Sequence, residues 1–209
     1  MKRNFWTKLG LLSLACGLFM TAPTAIINAD DTTTTTTTSK ATLNLSSSGA
    51  KLSLDAVPSF PFGTVTTGDI LSGQKLPADL KYNNKVTVTD TRLDAKGWQL
   101  TVTPTAFTNN GKTIGGILKL KPGDFAFATW QSKAAEGWKW NEVEGETSLN
   151  LPGSKIEVAS SNGDQEGQAS ATINAADFIA TSHDALASGT YTSTLTWNLN
   201  ATPDTSASE

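Results

Sequence analysis

Histidine and cysteine are nearly missing from this chain, with one of each in 209 residues. His183 is therefore no basis for a zinc site of ordinary ligand type, which takes several His and Cys side chains. It stands in Ser182-His183-Asp184, but catalytic triads assemble across a fold and not along a tripeptide, so this reads as a surface histidine. No segment singles out a pair of carboxylates for glycoside hydrolysis. The sequence thus offers no catalytic residue, no metal site and no cofactor motif, and an enzyme is not expected. Charge is also scarce. Asp, Glu, Lys and Arg make up 17% of the chain, against about 25% in ordinary soluble domains. Thr, Ser, Asn and Gly take their place, as in β domains whose hydroxyl-bearing faces meet water.

The single cysteine, Cys16, lies within the opening segment. Lys2, Arg3 and Lys8 precede or enter an apolar run from Leu9 to Met20, Thr21-Ala22-Pro23 breaks it, and Ile27-Asn28-Ala29 offers a small residue for cleavage. That is the order of a secretory signal peptide, and the apolar run falls short of the ~20 residues of a spanning helix. Cleavage is expected after Ala29, with Ala25 as the alternative site. A lipid anchor on Cys16 is the rival reading, disfavoured because the apolar run continues past it through Leu18, Phe19 and Met20. With the signal removed, no cysteine remains, so no disulfide can staple the fold and burial of apolar surface must hold it. Removing the signal also takes three of the 16 Lys and Arg. The 13 left against 19 acidic residues give a net charge near −6. That argues against nucleic acid or any DNA-like polyanion as a partner, since phosphate binding needs a basic patch.

Seven consecutive threonines, Thr32 to Thr38, fill a linker over residues 30–40. The tract has nothing apolar to bury and reads as a solvated spacer, with an O-glycosylated stalk as the alternative. A single domain is expected over residues 41–203, followed by a polar tail, 204–209. Within it, strand signals dominate. Ala41 to Leu45 and Lys51 to Val57 form a hairpin candidate around Ser46-Ser47-Ser48-Gly49. Phe60-Pro61-Phe62-Gly63 is irregular, because Pro58 and Pro61 deny ladder donors. Strands are expected at Lys85 to Thr91, Trp98 to Thr103, Ile117 to Lys121, Phe125 to Trp130, Ser148 to Leu151, Lys155 to Ala159 and Gln168 to Ile173. Tyr191 to Asn200 is expected as the last and longest. Turns are expected at Pro122-Gly123-Asp124 and Pro152-Gly153-Ser154. One weak helical stretch, Ala175 to Ala187, is alanine-rich, with Asn174 as a cap. About ten short strands with Gly/Pro turns predict an all-β fold, an antiparallel β-sandwich.

Two tripeptides are both distinctive and repeated: Trp98-Gln99-Leu100 and Trp197-Asn198-Leu199, each inside an alternating run. Side chains alternate faces along a strand, so Trp98, Leu100 and Val102 share one side, as do Leu195, Trp197 and Leu199. Gln99, Thr101 and Asn198 point the other way. Either the indoles are core, each contributing about 4–5 kcal/mol if it buries ~200 Å², or they are partly exposed as a binding platform. A third group, Trp130, Trp138 and Trp140, is a candidate stacking surface for sugar rings. The polar loop Ser160 to Gly167 could hold Ca²⁺ through its carboxylates, but a solvated turn is the simpler reading.

The motifs and their flanks resemble the WxL family of surface proteins of Gram-positive bacteria. The first reads Gly97-Trp98-Gln99-Leu100-Thr101-Val102. The second runs from Gly189-Thr190-Tyr191 through Thr196-Trp197-Asn198-Leu199 to Pro203. The resemblance implies a secreted, non-catalytic cell-surface protein attached non-covalently to the peptidoglycan cell wall. It implies partners among other WxL-type or membrane-anchored surface proteins, and an alternative role in adhesion, within a surface complex or toward host matrix. Trp98, Leu100, Trp197 and Leu199 carry the motif; Gln99 and Asn198 are not fixed by it.

Overall fold

A computed structural model describes residues 40–93, 96–128, 135–163 and 166–202. The expected signal, nearly all of the Thr-rich linker, the tail, Trp130 and the centre of the 160–167 loop fall outside the described residues. The chain divides into Met1–Asn44 and Leu45–Glu209, and the architecture below belongs to the second unit.

The fold is all-β, with two antiparallel sheets. The strands, in chain order, are β1 (Leu52–Ala56), β2 (Lys75–Pro77), β3 (Lys85–Asp90), β4 (Trp98–Pro104), β5 (Phe107–Asn109), β6 (Lys112–Pro122), β7 (Ala126–Phe127), β8 (Trp138–Trp140), β9 (Thr147–Leu151), β10 (Ile156–Ser161), β11 (Gly167–His183) and β12 (Leu195–Ala201). One short helix, α1 (Thr67–Leu71), is closed by a capping box in which Thr66 and Asp69 satisfy each other's backbone amides.

β11 is the spine of the eight-stranded sheet. Its first half pairs with β3 and β7, and its second half with β6 and β2. β1 joins β3, while β5 and β9 join β6. The four-stranded sheet runs in the order β12-β4-β10-β8. Residues of both sheets enter one hydrophobic core: Val86, Val88, Leu118, Leu120 and Phe178 from the larger, Trp98, Leu100, Val102 and Val158 from the smaller.

Several expectations are corrected. Residues 41–45 form no strand; β1 pairs with β3 instead, whose Val86 and Val88 are fully buried and repay the pairing. Ala175 to His183 is strand, not helix, and β11, not the final strand, is the longest. The cause is a bulge at Asn174, between Ile173 and Ala175. Ala169, Ala171 and Ile173 are buried before it, Ala176, Phe178 and Ala180 after it. The extra residue shifts the parity of the alternation, which disguises a strand as an aperiodic alanine-rich stretch. Pro122-Gly123-Asp124 does not reverse the chain. It interrupts one continuous path along β11, with Gly123 N–H donating to the Thr172 carbonyl at 2.8 Å. Pro152-Gly153-Ser154, after a cis Leu151–Pro152 bond, carries the chain from the larger sheet to the smaller. The last strand begins at Leu195; before it Thr192 makes only a bridge to Thr108.

Surface carboxylates tie several chain reversals down. Asp184 accepts from Thr113 N–H at 2.8 Å and from the Thr113 hydroxyl at 2.9 Å, and these bonds hold its pKa below the usual value. At Asp69, bonds from the Thr66 amide and hydroxyl act the same way. At Asp55 partial burial pushes upward, but hydrogen bonds from Thr89, Ser53 and Gln168 outweigh it, and the pKa is again lowered. A carboxyl depressed on folding stabilises the fold above its unfolded pKa and loses that contribution as pH falls through the folded value. Thermal midpoints measured from about pH 6 to about pH 2 are therefore expected to hold steady first and to drop below the ordinary Asp range near pH 4. Asp184→Asn should flatten part of that drop.

Candidate functional site

The two tripeptides are nearest neighbours in the smaller sheet. β4 and β12 pair antiparallel without a register shift, Trp98 opposite Ala201, Leu100 opposite Leu199, and Val102 opposite Trp197. Thr202 N–H donates to Gly97 O at 3.1 Å and Thr105 N–H to Thr194 O at 2.9 Å. These bonds fix the phase of the ladder. The pairs Gln99–Asn200, Thr101–Asn198 and Thr103–Thr196 are the hydrogen-bonded ones, and the apolar pairs between them are the closer, non-hydrogen-bonded kind.

The apolar face of this ladder points inward. Trp98, Leu100 and Val102 are fully buried, while Leu195, Trp197 and Leu199 are half-buried against the same core. The first motif is therefore core. The second lies at the sheet's margin and keeps part of its surface open. Trp98 meets Trp138 edge-on at 5.1 Å and Phe125 at 5.9 Å. Phe125 in turn stacks on Trp140 at 5.5 Å, and Phe127 meets Trp138 at 5.4 Å. Trp140 Nε1 donates to Gly123 O at 3.1 Å. Trp98 Nε1 has no hydrogen-bond partner among the described residues.

Trp138 and Trp140 do share one side of an extended segment, β8, but it is the inner side. Both are buried, and Lys139 between them is exposed. This removes them as an open stacking surface: Phe125 and Phe127, arriving from the larger sheet, occupy the ring contacts that a sugar would need. Trp130 lies outside the described residues.

The outer face of the same strands is polar. Gln99, Thr196, Asn198 and Asn200 are exposed and Thr103 is half-buried. Thr101 is nearly covered, its hydroxyl donating to Asn198 O at 3.3 Å. Pairing extends the face across β10 and β8, with Ser160 beside Gln99, Glu157 beside Thr101, and Lys139 beside Ser160. At ~4.8 Å per strand, Lys139, Ser160, Gln99 and Asn200 make a row ~14 Å long. Such a face can donate and accept hydrogen bonds along its length, with one cation and one carboxylate toward its far side.

The glycine before the first motif holds this arrangement together. Gly97 has φ of +95°, and a Cβ there would lie 2.0 Å from Ser161 O. Gly97 O also accepts from Arg92 Nη2 at 2.9 Å. Arg92 grips Asp90 with Nε and Nη2 at 2.9 and 2.8 Å, and the Asp90 side chain is only 3% exposed. One carbonyl thus links the end of β3, the start of β4 and the end of β12.

An apolar trough went unread in the sequence. A cleft of about 460 Å³ is lined by Phe60, Phe62, Ile70, Phe107, Phe178 and Tyr191 among others. A neighbouring one of about 310 Å³ shares Phe60, Phe62 and Phe107 and reaches Leu195 and Trp197. Phe62, Phe107 and Phe178 contact one another with centroids 4.9 to 5.9 Å apart. The signal was present in Phe60-Pro61-Phe62: two aromatic residues in a segment that cannot enter a ladder must pack from a loop. Among the described residues no group of three or more His, Cys, Asp or Glu could hold a metal ion.

The site so built defines a class: an all-β protein carrying a polar sheet face on two paired Trp-x-Leu strands, with the first indole buried beneath it. The chain belongs to the WxL family. The family model, described as a WxL domain, surface cell wall-binding, matches residues 21–203. Comparison with curated proteins and with solved structures found no match. The family is a cell-wall-binding one, which places the protein's role at the cell surface and wall.

Two substitutions test the core of this site by urea unfolding. Gly97→Ala, which combines a backbone clash with a left-handed φ, is expected to cost about 3 kcal/mol or more. Trp138→Ala should cost about 3–5 kcal/mol, as for a large buried aromatic; a cost below ~1 kcal/mol would contradict its place in the core.

Proposed function

We propose that this is a secreted protein that attaches non-covalently to peptidoglycan, using the polar outer face of β4 and β12 as its contact surface. The observation that carries this reading is the register. Gln99 and Asn198, the middle residues of the two motifs, stand on one exposed face, while Trp98 and Leu100 brace it from below. The motif's invariable members then position the strands, and its variable members touch the glycan. Amide and hydroxyl side chains in rows suit a ligand rich in hydroxyl and acetamido groups, and the near-absence of charge suits a neutral glycan better than an ionic polymer. The two sheets are taken to form the sandwich that keeps this face flat.

Retention on purified, protein-free sacculi tests it. Gln99→Ala with Asn198→Ala removes two exposed side chains, so stability should stay within about 0.5 kcal/mol of the parent. Wall affinity should fall about 10- to 100-fold, for about 1–3 kcal/mol of lost hydrogen bonding. Unchanged retention would reject the outer face as the contact surface. Binding only in the presence of other surface proteins would favour the adhesion-complex role instead.

A further inference from the structure

β12 is an open edge. Among the described residues its only strand partner is β4. In the phase set above, Thr196, Asn198 and Asn200 spend their backbone groups on β4. Leu195, Trp197, Leu199 and Ala201 therefore aim their N–H and C=O groups away from the sheet.

Edge strands are normally blunted by charge, proline, bulges or short length. The other edges of this fold follow that rule. β1 carries Asp55 and a register shift after Leu54. β2 is three residues with Lys75 and Pro77, β5 is three residues, β7 two, and β8 three with Lys139. β9 is bounded by Glu146 and Pro152. β12 has none of these devices in its own sequence; β1 of the larger sheet lies close to it but forms no ladder with it. It is seven residues long, Leu-Thr-Trp-Asn-Leu-Asn-Ala, with no charge, no proline and no break in register.

The edge is also self-complementary. In an antiparallel pairing of two copies centred on Asn198, Leu195 faces Ala201 of the second copy and Trp197 faces its Leu199. All these residues have the outward backbone groups that such a ladder requires. Each hydrogen-bonded pair exchanges two bonds, about eight in all across the two-fold axis. On the inner side, the half-buried Trp197 and Leu199 cover one another. On the outer side, Asn198 meets Asn198, whose amides can each donate and accept, and Thr196 meets Asn200. No like charges oppose each other.

We propose that the occupant of this edge is a second copy of the chain, joined through β12 into one continuous sheet of two four-stranded halves. The joined sheet sets two polar outer faces side by side. The wall would then meet both, with the gain in avidity that two linked contacts give. The pairing itself does not depend on wall binding.

Sedimentation of the purified protein, without wall, tests it from about 1 μM to about 1 mM. The parent is expected to pass from monomer to dimer. Amide exchange should slow with concentration at Leu195, Trp197, Leu199 and Ala201 but not at Thr196, Asn198 or Asn200. Asn198→Lys and Asn198→Asp each place like charges face to face on the exposed side. Each variant should stay monomeric, with the parent's circular dichroism and, at about 1 μM where the parent is monomeric too, the parent's thermal midpoint, and an equimolar mixture should recover the dimer. A parent that stays monomeric throughout, a lysine variant that dimerises as well as the parent, or a mixture that stays monomeric would overturn the proposal.

Discussion

Everything distinctive in this molecule rests on the ladder between two strands that begin about a hundred residues apart. Because β4 and β12 pair directly, the two Trp-x-Leu motifs become one surface and not two. The ladder's apolar pairs fall at the close positions, which brings Leu100 against Leu199 and Val102 against Trp197. Its polar pairs fall on the opposite side. One register decision therefore creates both the inner contact that holds the sheet and the polar outer face opposite it. A shift of one residue would send every side chain to the wrong side, which is why the start of the ladder is so firmly held at Gly97.

That anchorage gives the glycine in Gly97-Trp98 a physical meaning. The carbonyl receives Thr202 N–H and the Arg92 guanidinium together, and Ser161 leaves no room for a side chain. Arg92 in turn neutralises the covered Asp90 carboxylate, so a residue at the end of the larger sheet fixes the first residue of the motif strand. A buried ion pair offsets its own desolvation only when its hydrogen bonds are complete. Here the carboxylate is covered, and the guanidinium, which keeps about a quarter of its surface in solvent, adds a bond to the Gly97 carbonyl.

The sequence made the local alternations readable and left the long-range ones hidden. Lys85 to Thr91, Trp98 to Thr103, Ser148 to Leu151 and Lys155 to Ala159 all read as strands because one face of each is plainly apolar. That Gln99 and Asn198 point away from the indoles followed from the same period; which of the two sides faces inward did not. What period alone cannot give is the partner. Nothing local says that β12 lies beside β4, that β9 and β10 part to different sheets, or that residues 41–45 find no strand. Trp138 and Trp140 show the limit well. Their shared side was legible, but whether that side is inside depends on Phe125 and Phe127, which arrive from elsewhere. The bulge at Asn174 hid the longest strand by shifting parity, and the aromatic trough was masked because its residues come from separate loops and strands.

The distance in sequence between the motif strands also dictates an order of events. While the chain is being made, β4 can gain β10 on one side, but the other side of its backbone waits for residues that come almost a hundred positions later. Closing so long a loop is slow and comes with little local reward until the ladder zips. The smaller sheet is therefore completed only after synthesis has delivered its final strand, and until then one edge of β4 waits without its neighbour.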